Sequence, residues 1–265
     1  MSKRLPAIYI PHGGGPWPFV ELGPRQMWAP LDGYLRSMID GLPERPRALL
    51  VVSAHWEEKA VTLMNGVRPP MLYDYYGFPA GAYELSWPAP GAPALATKAR
   101  ALLDAAGFET AFDPARGFDH GTFVPMMLAV PNADIPTLQV SLLQGLDPAR
   151  HLALGKALAP LREEGVLLIG SGSSYHNMRG FGSQRAIEPS RRFDAWLAET
   201  AVAPPTERAQ RLVRWADAPA ARECHPREEH LLPLHVVSGA AQDEVGVVPF
   251  HFDMMGARAS AVQFG

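Results

Sequence analysis

Nine histidines are spread over 265 residues, and five of them stand where chemistry rather than packing would put them. His12 follows the apolar run Ala7 to Ile10 and Pro11, and His55 follows the run Leu49 to Val52 with Ser53 and Ala54. His176 comes four residues after Val166-Leu167-Leu168-Ile169-Gly170-Ser171-Gly172. His120 sits in Gly117-Phe118-Asp119-His120-Gly121, where Asp119 could orient the imidazole or cap a helix. His230 follows Glu228 and Glu229. Neutral imidazole is the commonest ligand for zinc, copper, iron and nickel. Two or three of these side chains could hold one divalent metal, and the others would give and take protons near neutral pH.

A single histidine is more often a surface or hydrogen-bonded core residue than a functional one. His151, in an exposed-looking helical turn, His235, on an apolar helix face, and His251, near a strand end, read as structural. His225 adjoins the single cysteine, Cys224, and falls short of any zinc-finger pattern. Rival chemistries have little support. Gly170-Ser171-Gly172-Ser173 misses the spacing of a serine nucleophile elbow. Gly13-Gly14-Gly15 has neither the Lys-Ser/Thr of a phosphate loop nor dinucleotide spacing, so it reads as a turn that lets backbone approach something closely.

The elements that must position the histidines follow from periodicity. Short continuous apolar runs read as strands buried on both faces of a parallel sheet, and ligands of such sheets lie beyond the strands' carboxyl ends. Three strand exits carrying His12, His55 and His176 thus predict a cluster on one rim. Between them the pattern predicts helices over Gln26–Asp40, Ala92–Ala106, Thr122–Leu128, Asp147–Glu164, Arg191–Thr200, Thr206–Trp215 and Arg227–Ser238. Further strands are expected at Val61–Met64, Glu109–Phe112, Thr137–Leu142, Val245–Phe250 and Arg258–Phe264. Gly66 to Pro93 has no regular pattern but holds Tyr73, Tyr75, Tyr76, Phe78, Tyr83 and Trp87. Loops of this length are usually functional, so these aromatics either form a lid over a flat apolar ligand or pin the loop to the body. The alternation predicts an α/β fold: one domain over 1–265, with a mostly parallel central sheet flanked by helices.

Composition narrows the function classes. The formal net charge is −3, with no basic stripe for nucleic acid. One cysteine excludes an intrachain disulfide framework and fits a reducing compartment. The apolar run Ala7–Ile10 is too short for a signal-peptide core, and nothing approaches a membrane span, so a cytoplasmic protein is expected. The partner expected is a small molecule. The oligomeric state is left open.

Taken together, the motifs resemble the class III extradiol ring-cleaving aromatic dioxygenases, in the branch called 4,5-DOPA dioxygenase-like. The carrying segments are Pro11-His12-Gly13, Val52-Ser53-Ala54-His55-Trp56, Gly77-Phe78-Pro79 and Pro88-Ala89-Pro90-Gly91. They continue with Gly117-Phe118-Asp119-His120-Gly121, Gln139-Val140-Ser141, Ser171-Gly172 through His176-Asn177, and Glu229-His230-Leu231-Leu232-Pro233-Leu234. They span almost the whole chain in family order. The resemblance implies a non-haem Fe(II) site, with Zn(II) as the other metal to consider, that takes a catechol (a small aromatic diol) and O₂. It implies His12, His55 and His230 as metal ligands, His176 as the acid–base residue and His120 as a helper that either supports a ligand from outside or faces the substrate. The family usually has His-Gly-Ser-Pro where this chain has His12-Gly13-Gly14-Gly15-Pro16, a departure that bears on substrate identity. Two other readings use the same residues: a zinc-dependent hydrolase, since three histidines and a water make a catalytic zinc site, or a non-catalytic binding relative. Retention of all five histidines argues against the last.

Overall fold

Leu49 and Val51 point to one side of their strand and Leu50 and Val52 to the other, and all four are fully buried. Alternate side chains of a strand face opposite ways, so this strand must be covered by apolar layers on both faces. The structure, a computed structural model, describes residues 4–21 and 23–265 and shows that arrangement in the central strands. In chain order it contains β1 (Ala7–Pro11), α1 (Arg25–Ser37), β2 (Ala48–Glu58), β3 (Val61–Met64), α2 (Pro93–Ala105), β4 (Thr110–Asp113), α3 (His120–Ala129) and β5 (Thr137–Leu143). There follow α4 (Pro148–Leu158), β6 (Val166–Gly172), α5 (Ile187–Val202), α6 (Pro205–Val213), the single turn α7 (Ala221–Cys224), α8 (Leu232–Ala241), β7 (Gly246–Met254) and β8 (Ala257–Phe264). Among the described residues, no helix is long and apolar enough to cross a membrane.

The eight strands of the described residues form one sheet, ordered β4-β3-β5-β2-β6-β1-β8-β7. The core β5-β2-β6-β1 is parallel, as is β3 with β4; β3–β5, β1–β8 and β8–β7 are antiparallel. One face packs Leu50, Val52, Leu138 and Leu168 against Leu154 of α4 and Val236 of α8. The other packs Leu49, Val51, Leu167 and Ile169 against Leu31 and Leu35 of α1 and Phe123 of α3. Because β2, β6 and β1 are adjacent and parallel, their carboxyl ends emerge on the same rim.

Helix ends match their local chemistry in α4. The Asp147 carboxylate accepts the Ala149 and Arg150 N–H groups at 2.8 and 3.1 Å, and Pro148 occupies the first turn where no N–H is needed. The expected continuation to Glu164 changes to a tighter 3-10 helix at Ala159, next to Pro160, and ends at Gly165 with φ 81°. Two expected boundaries differ more. The helix α3, expected from Thr122, begins two residues earlier at His120. The helix expected from Arg227 begins only at Leu232, where Pro233 sits in the first turn, so His230 stands in the turn before it. His151 is fully buried rather than exposed: its Nε2 accepts the Leu143 N–H at 3.1 Å, a structural role.

Candidate active site

Sheet topology brings the histidines together. Pro11 pairs with Gly172, and the His12 N–H donates to the Gly172 carbonyl at 3.1 Å, so His12 extends the β1–β6 ladder by one residue beyond the strand end. In β2 the register against β5 slips between Val52 and Glu57. Bulges re-aim side chains beside functional sites, and this one carries His55. The His55 N–H is held by Ser53 Oγ at 3.2 Å. His230 is brought to the same rim by its carbonyl, which accepts Tyr9 Oη at 2.8 Å and the Ser173 N–H at 3.1 Å. That approach requires glycine at 172, since a Cβ there would lie 2.1 Å from the His230 oxygen. Gly121 is under similar constraint: a Cβ would sit 2.6 Å from Ser53 Oγ and 3.0 Å from the His55 ring.

The five candidate histidines form one cluster. Ring centroids are 4.9 Å apart for His12–His55, 5.2 Å for His12–His230, 4.8 Å for His55–His230 and 4.0 Å for His55–His120. His176 stacks on His230 with centroids 3.3 Å apart and planes 13° from parallel. Ligand atoms of His12, His55 and His120 lie within 4.8 Å of one another, and so do those of His176, Glu229 and His230.

Hydrogen bonds set which nitrogens carry protons. Ser171 donates its single hydroxyl proton to the Gly121 carbonyl, so toward His12 Nδ1, at 3.1 Å, it can only accept. His12 Nε2 is therefore a lone pair, and it faces His55 Nε2 at 3.1 Å. His120 Nδ1 donates to Asp74 Oδ1 at 2.7 Å, and Asp74 Oδ2 lies 3.6 Å from His55 Nδ1. His230 Nδ1 donates to Glu229 Oε1 at 3.0 Å; the same oxygen lies 3.2 Å from His176 Nδ1. His230 Nε2 is buried with no hydrogen-bond partner among the described residues.

Burial and then the neighbouring imidazoles push His12 and His230 well below the ordinary histidine pKa, and burial with His120 lowers His55. They are neutral at neutral pH, the form that ligates metals. Burial raises the Asp74 carboxyl, but the hydrogen bond and charge of His120, with His55, outweigh it and hold it below its usual value. In Glu229 burial is likewise outweighed, chiefly by His176.

Asp119 does not orient His120, nor does its side chain cap α3. Its buried carboxylate instead accepts Ser53 Oγ at 2.7 Å, Arg116 Nη2 at 3.1 Å and Gln139 Nε2, tying β2, β5 and the start of α3 together. Asp74 performs both tasks, accepting the His120 N–H at 3.0 Å as well as its ring. A lone acid between Tyr73 and Tyr75 was the available signal, and reading that loop for its aromatics passed over it. Glu229 was visible only as a neighbour of His230.

The cluster floors a cavity of about 790 Å³. From the long aromatic loop, Tyr75, Tyr76 and Phe78 line it together with Asp74. Trp87 does the other job, donating to the Val130 carbonyl at 2.9 Å and pinning the loop down, while Tyr73 donates to the Leu85 carbonyl at 2.7 Å within the loop itself. Gly13, Gly14 and Gly15 also line it, Gly15 directly beside Phe78.

Comparison with known proteins agrees with this geometry. Residues 6–264 match the family described as the catalytic LigB subunit of aromatic ring-opening dioxygenase. The chain is 43% identical to a 4,5-DOPA dioxygenase extradiol of Beta vulgaris over 203 residues, 75% of this chain and 74% of that one. It is 38% identical over 255 residues to the dioxygenase tasH of Hapsidospora irregularis, covering 90% of this chain and 79% of the other. A 4,5-DOPA dioxygenase extradiol of Escherichia coli K12 is 31% identical over 270 residues, covering 100% of this chain and 96% of that protein. The crystal structure of an uncharacterized protein from Escherichia coli K12 superposes with a TM-score of 0.79 at 29% identity, covering 99% of this chain and 100% of that one. With matching motifs, fold and full-length similarity, the chain belongs to the LigB family and is an extradiol aromatic ring-opening dioxygenase.

Proposed function

We propose that residues 1–265 form one catalytic domain that binds Fe(II) through His12, His55 and His230 and opens the ring of a catechol outside its diol, with both atoms of O₂ entering the product. The observation that carries this reading is the orientation of lone pairs: His12 Nε2 meets His55 Nε2 at 3.1 Å, and His230 Nε2 is buried without a partner. Two nitrogens each about 2.0–2.1 Å from one ion fall near that separation. The hydrogen bonds from His12 to Ser171 and from His230 to Glu229 are the outer contacts that fix ligand tautomers in metal sites. The donor set therefore fits a divalent metal. When bound, a ferrous ion would supply chelation of the diol and a path for electrons from the catechol, which is the reductant, to dioxygen.

The rest is done by the chain. His176 is half-buried over His230, with Nδ1 toward Glu229, and its other nitrogen is the base for a phenolic proton and later the acid that returns it. His120, aligned by Asp74, completes the substrate-facing wall. Tyr75 and Phe78 cover the floor and exclude water from the ring.

The experiment is anaerobic loading with Fe(II) followed by a catechol-dependent oxygen-uptake assay, watching for a yellow ring-opened product. Uptake with iron and none with zinc is expected; hydrolytic activity with zinc and no oxygen uptake would favour the hydrolase. A second ligand set has its own observation, because His120 lies with His12 and His55 within 4.8 Å. Metal content distinguishes the two: His55→Ala and His230→Ala should lose most iron and His120→Ala retain it. Full iron in His55→Ala would refute both sets.

A further inference from the structure

The cavity above the histidines is far larger than a diol ring. Its volume of about 790 Å³ lies high in the range of about 300–1,000 Å³ that accommodates drug-sized ligands. Above the imidazole floor the walls are apolar and come from distant parts of the chain: Met27 and Trp28 of α1, Phe78, Phe181, and Met254 at the end of β7. Methionine side chains adapt to irregular apolar shapes. The apolar character continues to the mouth, where Tyr76, Met178 and Met255 are 91%, 70% and 42% exposed. Exposed apolar side chains gathered around an opening mark a surface that meets an apolar partner.

The charged side chains of the walls, apart from the histidines, all have one sign. Among the described lining residues the charged side chains are Glu21 and Asp74, with no lysine or arginine. Nearby cations do not line it: Arg116 is held by Asp119 over the Trp56 ring, Arg227 pairs with Glu57, Arg179 lines another cleft, and Arg25 lines an exposed cleft that adjoins this one at Glu21, Gly23, Pro24 and Trp28. On the floor, His120 and His176 already face the carboxylates of Asp74 and Glu229. A carboxylate brought into these walls would lose its water and find no cationic side chain, which disfavours it strongly.

We infer that the substrate is a catechol whose ring carries an extended substituent free of negative charge, seated along the methionine and aromatic wall and leaving past Tyr76 and Met178. This deepens the ring-cleavage reading and rests on it for the diol.

The test compares one carbon skeleton with and without the charge: 3,4-dihydroxyphenylpropanoate and its methyl ester. Each is titrated anaerobically into the iron-loaded protein, following tryptophan fluorescence, because Trp28 lines the cavity. The ester should bind at least about tenfold more tightly, within the range by which a shaped pocket discriminates. Met178→Arg should narrow that ratio by strengthening acid binding. Acid binding as tight as the ester, binding of neither, or a ratio unmoved by Met178→Arg would overturn the inference. Oxygen uptake is read separately, so tight ester binding without uptake would count against ring cleavage while supporting this selectivity.

Discussion

Replacing His176 by phenylalanine separates acid–base chemistry from metal binding. The side chain stacks on His230 at 3.3 Å and 13°, and a phenyl ring preserves that face-to-face contact. What is lost is the approach of Nδ1 to Glu229 Oε1 at 3.2 Å and the proton-carrying nitrogens. Glu229 keeps His230 at 3.0 Å and Arg227 at 3.5 Å, and the backbone N–H of residue 176 still donates to the Cys224 carbonyl at 2.9 Å. Stability should therefore change by no more than about 1 kcal/mol, the worth of one partly exposed ion contact. Removal of a general acid–base group typically lowers rate by about 10²–10⁴, or roughly 2.7–5.4 kcal/mol of barrier. The assay has three arms: iron content of the anaerobically loaded variant, anaerobic catechol binding, and kcat by oxygen uptake across pH. Iron and binding should remain while kcat falls and one limb of its pH profile disappears. Loss of iron would make His176 a ligand, and full activity would shift the acid–base role to His120.

Gly172→Ala places a Cβ 2.1 Å from the His230 carbonyl oxygen, a backbone atom that cannot step aside cheaply. The expected result is about 1–3 kcal/mol of destabilisation by overpacking and weakened iron retention, seen in urea unfolding and metal analysis; both unchanged would show that this contact does not hold His230. A pH series tests two buried histidines outside the cluster. Burial lowers His225 to about 3 and His235 to about 4, each with Nε2 on a backbone carbonyl. The folded pKa lies below the unfolded value of about 6.5, so the unfolded chain binds more protons and stability falls as pH drops below that value. Each group removes up to about 1.4 kcal/mol per pH unit there. Unfolding free energy of the metal-free protein that is flat between pH 7 and 5 would refute the assignment.

Much of the fold could be read from the chain because its signals are local. Continuous apolar runs ending in Ser53-Ala54-His55, Pro11-His12 and Gly170-Ser171-Gly172 read as buried parallel strands, and the sheet puts their histidines on one rim. Asp147-Pro148 and Gly165 punctuate a helical stretch whose ends appear where their backbone chemistry requires.

What the tertiary structure decided is which groups serve which partners, since a side chain reports its hydrogen-bonding capacity and not its direction. Asp119 beside His120 suggested a partner for that ring or a helix cap; the fold sends its carboxylate to Ser53, Gln139 and Arg116 and brings Asp74 from 46 residues away to hold His120. Tyr75, Tyr76 and Phe78 of the aromatic loop line the cavity while Trp87 ties the loop to the Val130 carbonyl, a division set by tertiary partners that no local pattern encodes. The methionine wall joins residues 27, 178 and 254, from α1, the loop after β6 and the edge strand β7. Local sequence fixes a strand by its own periodicity, but a cavity is the space between elements, and its lining is chosen by strand order and helix packing.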